Sequence, residues 1–309
     1  MSPEIRTIKQ SDKNYPPLLR EIPDAPEMLY IKGELPSFEL PWVAIVGTRK
    51  ATPDGVLFAK RLAKELSEKG FIIVSGLAMG IDTAAHEGTI KAQGKTVAVL
   101  GNGLDAVYPR QNENLAKAII TNGGALISEY PPETPAFPSQ FLERNRIVSG
   151  MCMATIVIEA PDRSGSIVTA RLAGEQGREI LVFPGPASHP NFKGSHKLIR
   201  DGARLVTNIE DILEDLGLDP VRDSQPMSPP DAQSAGIISS GAGEKEMHID
   251  DPNERVILNV IERTKKSLTI DKISELTKLD PSIINPILTF NILKGAITED
   301  ESGYRRITD

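Results

Sequence analysis

The residue types best suited to holding an anion fall in short runs, most of them directly after an apolar segment. Gly47, Thr48 and Arg49 lie in AIVGTRKA (44–51). A dinucleotide loop would carry G-x-G-x-x-G at such a place, and here a hydroxyl and two cations replace the later glycines. Free N–H groups at a following helix start, with the planar fork of Arg49, suit phosphate. A tight turn with Arg49 in an ion pair reads equally well. Ser75, Gly76 and Gly80 in SGLAMGID (75–82) allow a backbone-lined anion pocket or a close helix-on-strand contact, with Asp82 capping or pairing in the next helix. In GNGLDAVYP (101–109), Gly101 and Gly103 keep side chains out of a crevice, and Asp105 is a candidate partner for a nearby arginine, expected in a structural role rather than a catalytic one.

Two further runs carry charge or helix starts. In FPSQFLERNRIVSG (137–150), Arg144, Asn145 and Arg146 are adjacent. On a helix the two arginines point about 200° apart, so one meets an anion and the other pairs internally. Phe137 and Phe141 share a helix face; core packing is expected for Phe137, and stacking on a base is open to Phe141. In DRSGSIVTARLAGEQG (162–177), Ser164, Gly165 and Ser166 open a helix and form either an anion site or a plain cap, with Thr169 one turn further in. Lys193, Lys197 and Arg200 add positive charge near the same edge. No catalytic residue emerges. His86, His189, His196 and His248 lack metal-ligand spacing, Cys152 reads as buried, and no nucleophile elbow or P-loop is present. No cofactor and no metal are expected.

Something must bring these runs together. The apolar segments VAIV (43–46), FIIV (71–74), TVAVL (96–100), ALIS (125–128), TIVIE (155–159) and EILVF (179–183) are continuous, as in strands buried on both faces. Segments of helical spacing separate them, as in Val56, Leu57, Ala59, Leu62, Ala63 and Leu66. Alternation of this kind predicts an α/β fold with a doubly wound parallel sheet, whose ligands bind beyond the carboxyl ends of the strands. ARLV (203–206) leads into a last helix from Asn208. The main domain is expected over 42–218, with a Pro-rich N-terminal extension, 1–41, packed on it. Residues 219–252, rich in Pro, Ser, Gly and acid, read as a flexible linker. Residues 253–309 carry three helix patterns and a hairpin around Gly303, which suggests a winged-helix domain.

Net charge is −7, but its distribution matters more. The linker holds seven acids and two bases, and 253–309 is balanced. The main domain is near neutral, so an anion site there must be a local cluster. No run approaches the roughly 20 apolar residues of a membrane span, the N-terminus has no apolar signal core, and one cysteine allows no internal disulfide. A cytoplasmic location with no membrane contact is expected.

Taken in order, these runs resemble the DNA-processing protein A family, DprA or Smf. The matching stretches are YPPLLREIPDAPEMLYIKG (15–33), VAIVGTR (43–49), SGLAMGIDTAAH (75–86), TVAVLGNGLDAVYP (96–109), LISEYPP (126–132), RNRIVSG (144–150), EAPDRSGSIVTARLAGEQGR (159–178) and FPGP (183–186). The resemblance implies an extended Rossmann-like domain that binds single-stranded DNA without enzymatic turnover. It implies the RecA recombinase as partner during natural transformation, and a homodimer. The family's DNA loop maps to Gly47, Thr48 and Arg49, and its RNR segment to Arg144, Asn145 and Arg146. This chain departs from the family at Leu142, where proline is usual, and at Phe192 and His196, where serine and asparagine are usual. The third helix of the C-terminal unit, PSIINPILTFNIL, has no lysine or arginine, so a protein contact is expected there rather than a DNA groove. The rival reading is a nucleotide-binding or nucleotide-hydrolysing protein. Related hydrolases carry P-G-G-x-G-T-x-x-E, which PGPASHPNF (184–192) does not match.

Overall fold

In a computed structural model the chain divides into two compact units, Met1–Ser228 and Pro229–Asp309. The structure describes residues 4–218 and, further on, 252–264, 267–281, 283–284, 287–288, 291, 296–300 and 303–306.

In the first unit every expected apolar run forms a strand. These are β3 (Trp42–Gly47), β4 (Ile72–Ser75), β5 (Thr96–Leu100), β6 (Ala125–Ser128), β7 (Ala154–Ile158), β8 (Glu179–Val182) and β9 (Arg204–Leu205). They pair in parallel in the order β6-β5-β4-β3-β7-β8-β9. Residues 4–41 extend this same sheet. Strands β1 (Ile5–Lys9) and β2 (Met28–Gly33) form an antiparallel pair, and β2 joins β6 antiparallel with Tyr30 opposite Ser128. The short helix α1 (Pro17–Arg20) lies between them, and buried Leu19 and Ile22 face Gly150.

Side chains of a strand alternate between its two faces, and β3 shows what each face meets. Val43 and Ile45 pack with helices α2 (Pro53–Glu68), α3 (Ile81–Lys91) and α8 (Ile209–Asp215). Ala44 and Val46 pack toward α5 (Pro138–Gly150), α6 (Gly165–Glu175) and α7 (Lys193–Arg200). Helix α4 (Glu113–Thr121) closes a smaller cluster over β5 and β6. Local signals set the helix starts. Thr52 accepts the Gly55 N–H at 3.0 Å with Pro53 next in line, and Asn208 accepts the Asp211 N–H at 2.9 Å. From β3 the chain runs outward to β4 and later returns to β7 on the other side. The β3/β7 junction is therefore the switch point where such sheets open a crevice.

One buried group gives the first unit a pH response. His86 is fully buried on α3, with Nδ1 2.8 Å from the Thr96 hydroxyl. That hydroxyl donates to the Ile73 carbonyl at 2.6 Å, so it accepts from Nδ1–H, and Nε2 has no partner. Burial, with Arg144 adding to it, pushes the imidazole pKa down to about 3. The folded chain therefore binds fewer protons than the unfolded one, and stability falls as pH drops below the ordinary histidine value. Urea unfolding should show His86→Gln losing about 2 kcal/mol less than the parent between about pH 7 and pH 5. Equal losses would remove His86 from the account.

The second unit has helices α9 (Pro252–Thr264) and α10 (Ile270–Thr277) and the hairpin β10 (Ile297–Asp300) with β11 (Gly303–Arg306). Ile257, Ile261, Ile273, Ile284, Leu288 and Ile297 form its core. The expected linker and most of the expected third helix lie outside the described residues.

Candidate nucleic-acid interface

A cavity of about 450 Å³ opens at the switch point, walled by the ends of β3 and β4 and by α5 and α6. Its first wall follows from Gly47. A Cβ there would stand 2.0 Å from the Ile158 carbonyl oxygen, so only glycine lets β3 lie this close to β7. Thr48 N–H donates to Glu159 O at 2.8 Å, and Thr48 O accepts from Ile81 N–H. The pinned turn projects Arg49 and Lys50 into solvent at the cavity's rim. The Arg49 guanidinium lies 5.9 Å from the Phe141 ring centre, a cation–π contact.

The second wall is Gly76. A Cβ there would fall 2.0 Å from Arg144 Nη1, so the guanidinium lies flat against a bare backbone. Arg144 is 4% exposed, and its Nη1 donates to the Val99 carbonyl. Its Nε is buried and has no partner among the described residues. Burial lowers its pKa to about 10, with Asp82 opposing and Arg49 adding to the drop, so it stays cationic at neutral pH. Asp82, also on the wall, accepts from the N–H groups of Gly76 (3.1 Å) and Ala78 (3.3 Å). Burial raises its carboxyl above the usual range, while Arg144 and the two N–H groups pull it down.

The third wall is the start of α6. Ser164 is the N-cap residue, yet its side chain caps nothing; its hydroxyl bonds to that of Ser166 at 2.8 Å. A Cβ on Gly165 would meet nothing nearer than Asn145 Nδ2 at 4.0 Å, so this helix end faces open space. Asn145 reaches across to Gly165 O at 3.4 Å. The first N–H groups of an uncapped helix and its dipole favour an anion.

The cavity thus gathers Gly47, Thr48, Arg49, Gly76, Phe141, Arg144, Asn145, Ser164, Gly165 and Ser166. Four other sequence candidates do not line it. Ser75 is fully buried and donates to Ile45 O at 2.7 Å, tying β4 to β3. Gly80 has φ +82° and starts α3 against the Thr48 carbonyl. Lys197 is an exposed residue of α7 outside the cavity. Arg146 points away into an ion-pair cluster, with Nη2 2.6 Å from Glu129 and Nε 3.0 Å from Asp24. Of the two arginines, Arg144 is the one at the cavity. Phe137, expected in the core, is 53% exposed, because α5 begins only at Pro138. Cys152 is buried, and burial raises its thiol pKa.

Arg146→Met should lower stability by about 2 kcal/mol, since it strands half-buried Glu129. Oligonucleotide affinity should stay within about twofold, the usual scatter for a residue outside the contact. A thermal melt and an anisotropy titration on the same sample check both.

Four neighbours of the site lie in the quoted runs but stand outside the expected anion contacts. Asp82, Lys50 and Thr169 line the cavity. Tyr108 places its ring 5.2 Å from Phe141 at the rim. Tyr108 sits in a quoted run, but only tertiary packing brings it to Phe141.

With this geometry in hand, similarity to known proteins carries weight. The chain is 42% identical over 214 residues to Protein Smf of Escherichia coli K12, covering 69% of this chain and 57% of that protein. It is 42% identical over 213 residues to DNA processing protein DprA of Bacillus subtilis, covering 69% and 71%. It therefore spans little more than half the length of the Escherichia coli relative. Among solved structures, DNA processing protein A of Streptococcus pneumoniae matches with a TM-score of 0.64 at 40% identity, over 69% of this chain and 74% of that one. That of Helicobacter pylori, described with its single-stranded DNA binding mode, matches at 0.63 and 31%, over 70% and 98%. The family model for DNA recombination-mediator protein A matches residues 6–217, the whole sheet with its loops, and the chain belongs to that family.

Proposed function

We propose that this chain binds single-stranded DNA across the switch-point cavity and acts as a recombination mediator without turnover of its own. On this reading it passes the strand to the RecA recombinase during DNA uptake, as a homodimer in the cytoplasm. One observation carries the binding step. A buried arginine and an uncapped helix start line the same cavity. A phosphate bound there would accept from the helix start and pair with the guanidinium. Arg49 and Lys50 at the rim extend positive charge along a strand's path, and Phe141 with Tyr108 offers ring faces to unpaired bases. Paired bases have no free faces to give, which favours a single strand over a duplex.

Anisotropy titrations of the full chain with labelled oligothymidylate, with duplex of the same length, and with a mononucleotide competitor test this. The single strand should bind roughly tenfold or more above duplex, with a log–log salt slope of about −0.7 per phosphate contacted. A mononucleotide that displaces the oligomer at equal concentration, or release of free base, would favour the nucleotide-hydrolase reading instead.

A further inference from the structure

A second cavity, of about 430 Å³, opens on the α2 side of the sheet, at the carboxyl ends of β7 and β8. It is built differently from the first. Its walls are aromatic: Phe58 and Phe183 meet edge to face at 4.3 Å, and His189 meets Phe192 at 5.6 Å. Its charges are two carboxylates, Asp54 and Glu159, and no lysine or arginine among the described residues lines it.

Glu159 is the unusual member. It is 1% exposed, at a backbone φ of +51°. Its carboxylate accepts from Thr52 N–H (2.9 Å), the Thr52 hydroxyl and Asn191 Nδ2 (2.9 Å). All three donors are neutral. A carboxylate offers about four acceptor sites, so one remains, and among the described residues no cation pairs with it. A buried carboxylate without a cation is costly to keep. His189 does not supply one, since its Nδ1 accepts the Asn191 N–H at 3.2 Å. Arg61 lies over Phe58 at 5.3 Å but does not line the cavity.

Ring faces around an uncompensated carboxylate select a flat cation. We propose that this cavity takes the guanidinium of an arginine presented by a protein partner, stacked on the phenylalanine rings and paired with Glu159 and Asp54. Arginine fits better than lysine because its plane stacks and its fork pairs with a carboxylate at two points. Nucleic acid fits worse, because both carboxylates repel phosphate. The proposal is independent of the strand-binding cavity, which has the opposite charge and lies against Val46 and Val148 on the other face.

The test uses the isotope-labelled full chain and two blocked tripeptides, glycine-arginine-glycine and its neutral citrulline isostere. Backbone amide shifts are followed in a nuclear magnetic resonance titration at low salt. The arginine peptide should give saturable shifts at Thr52, Gly55 and Phe192, and citrulline should bind roughly tenfold more weakly. Asp54→Asn, an exposed change that spares the fold, should weaken the arginine peptide and leave citrulline unchanged. Equal binding of the two peptides, or no saturable shift from either, overturns the proposal. So does displacement of the arginine peptide by oligothymidylate.

Discussion

Replacing Arg144 by methionine should lower affinity for single-stranded oligonucleotide by about 100-fold, while the thermal midpoint changes little. A hydrogen bond from a charged donor in a desolvated site contributes about 1.5–3 kcal/mol, and each 1.4 kcal/mol is tenfold. The stability side has two opposing parts. Arg144 is buried, bonded to one backbone carbonyl, partnerless at Nε, repelled by Arg49 and attracted by buried Asp82. Burial makes its charge expensive, as the lowered pKa of about 10 records. Methionine fills similar volume and removes that cost, but it also takes the neighbouring cation from Asp82, so the two effects offset. A large loss of affinity with little change in the melt marks a residue held for binding. Arg144→Lys should recover little, because an ammonium lacks the planar fork whose separate nitrogens can reach Val99 O and a phosphate. An unchanged anisotropy curve for Arg144→Met, from a protein with an unchanged melt, would remove Arg144 from the interface.

The parallel strands were legible because each is a continuous apolar run, and burial on both faces demands that pattern. The antiparallel pair was not. IRTIK and MLYIKG alternate with charged residues, and β2 finds its partner β6 some hundred positions on, at Tyr30 opposite Ser128. Strand ends were read one residue long where a special backbone intervenes. TIVIE looked like a strand through Glu159, but β7 stops at Ile158 and Glu159 turns at positive φ. The glycine and serine runs did converge on one cavity, since a parallel sheet sends all such loops to one edge. Which member of each run faces inward was set by partners from elsewhere in the chain. Spacing separated Arg144 from Arg146, but Glu129 and Asp24 decided which one turned away. Ser75 is fully buried, with its hydroxyl bonded to the Ile45 carbonyl, which the run SGLAMGID does not reveal.

Gly76→Ala should cost nearly as much affinity as Arg144→Met, and the two losses should not add. Gly76 is not at positive φ, so alanine suits its backbone and should leave the fold intact. The added Cβ would fall 2.0 Å from Arg144 Nη1 and 2.5 Å from Cζ, so the guanidinium must leave its place. It is the far end of a flexible side chain and can move, but then it no longer lies in the cavity wall. The expected single loss is about 2 kcal/mol, roughly 30-fold. In an Arg144→Met background no guanidinium is left to displace and the thioether yields easily. Gly76→Ala should then change affinity by less than about twofold, giving a coupling energy near 2 kcal/mol in the double-mutant cycle. The main alternative is that DNA itself packs against the Gly76 backbone. Alanine would then block the strand in both backgrounds, and the losses would add. The Gly76 N–H is already taken by Asp82, which leaves the approach of Arg144 as the reason for a glycine here. Four anisotropy titrations and four melts decide between an arginine held in place by a missing side chain and a backbone that touches DNA directly.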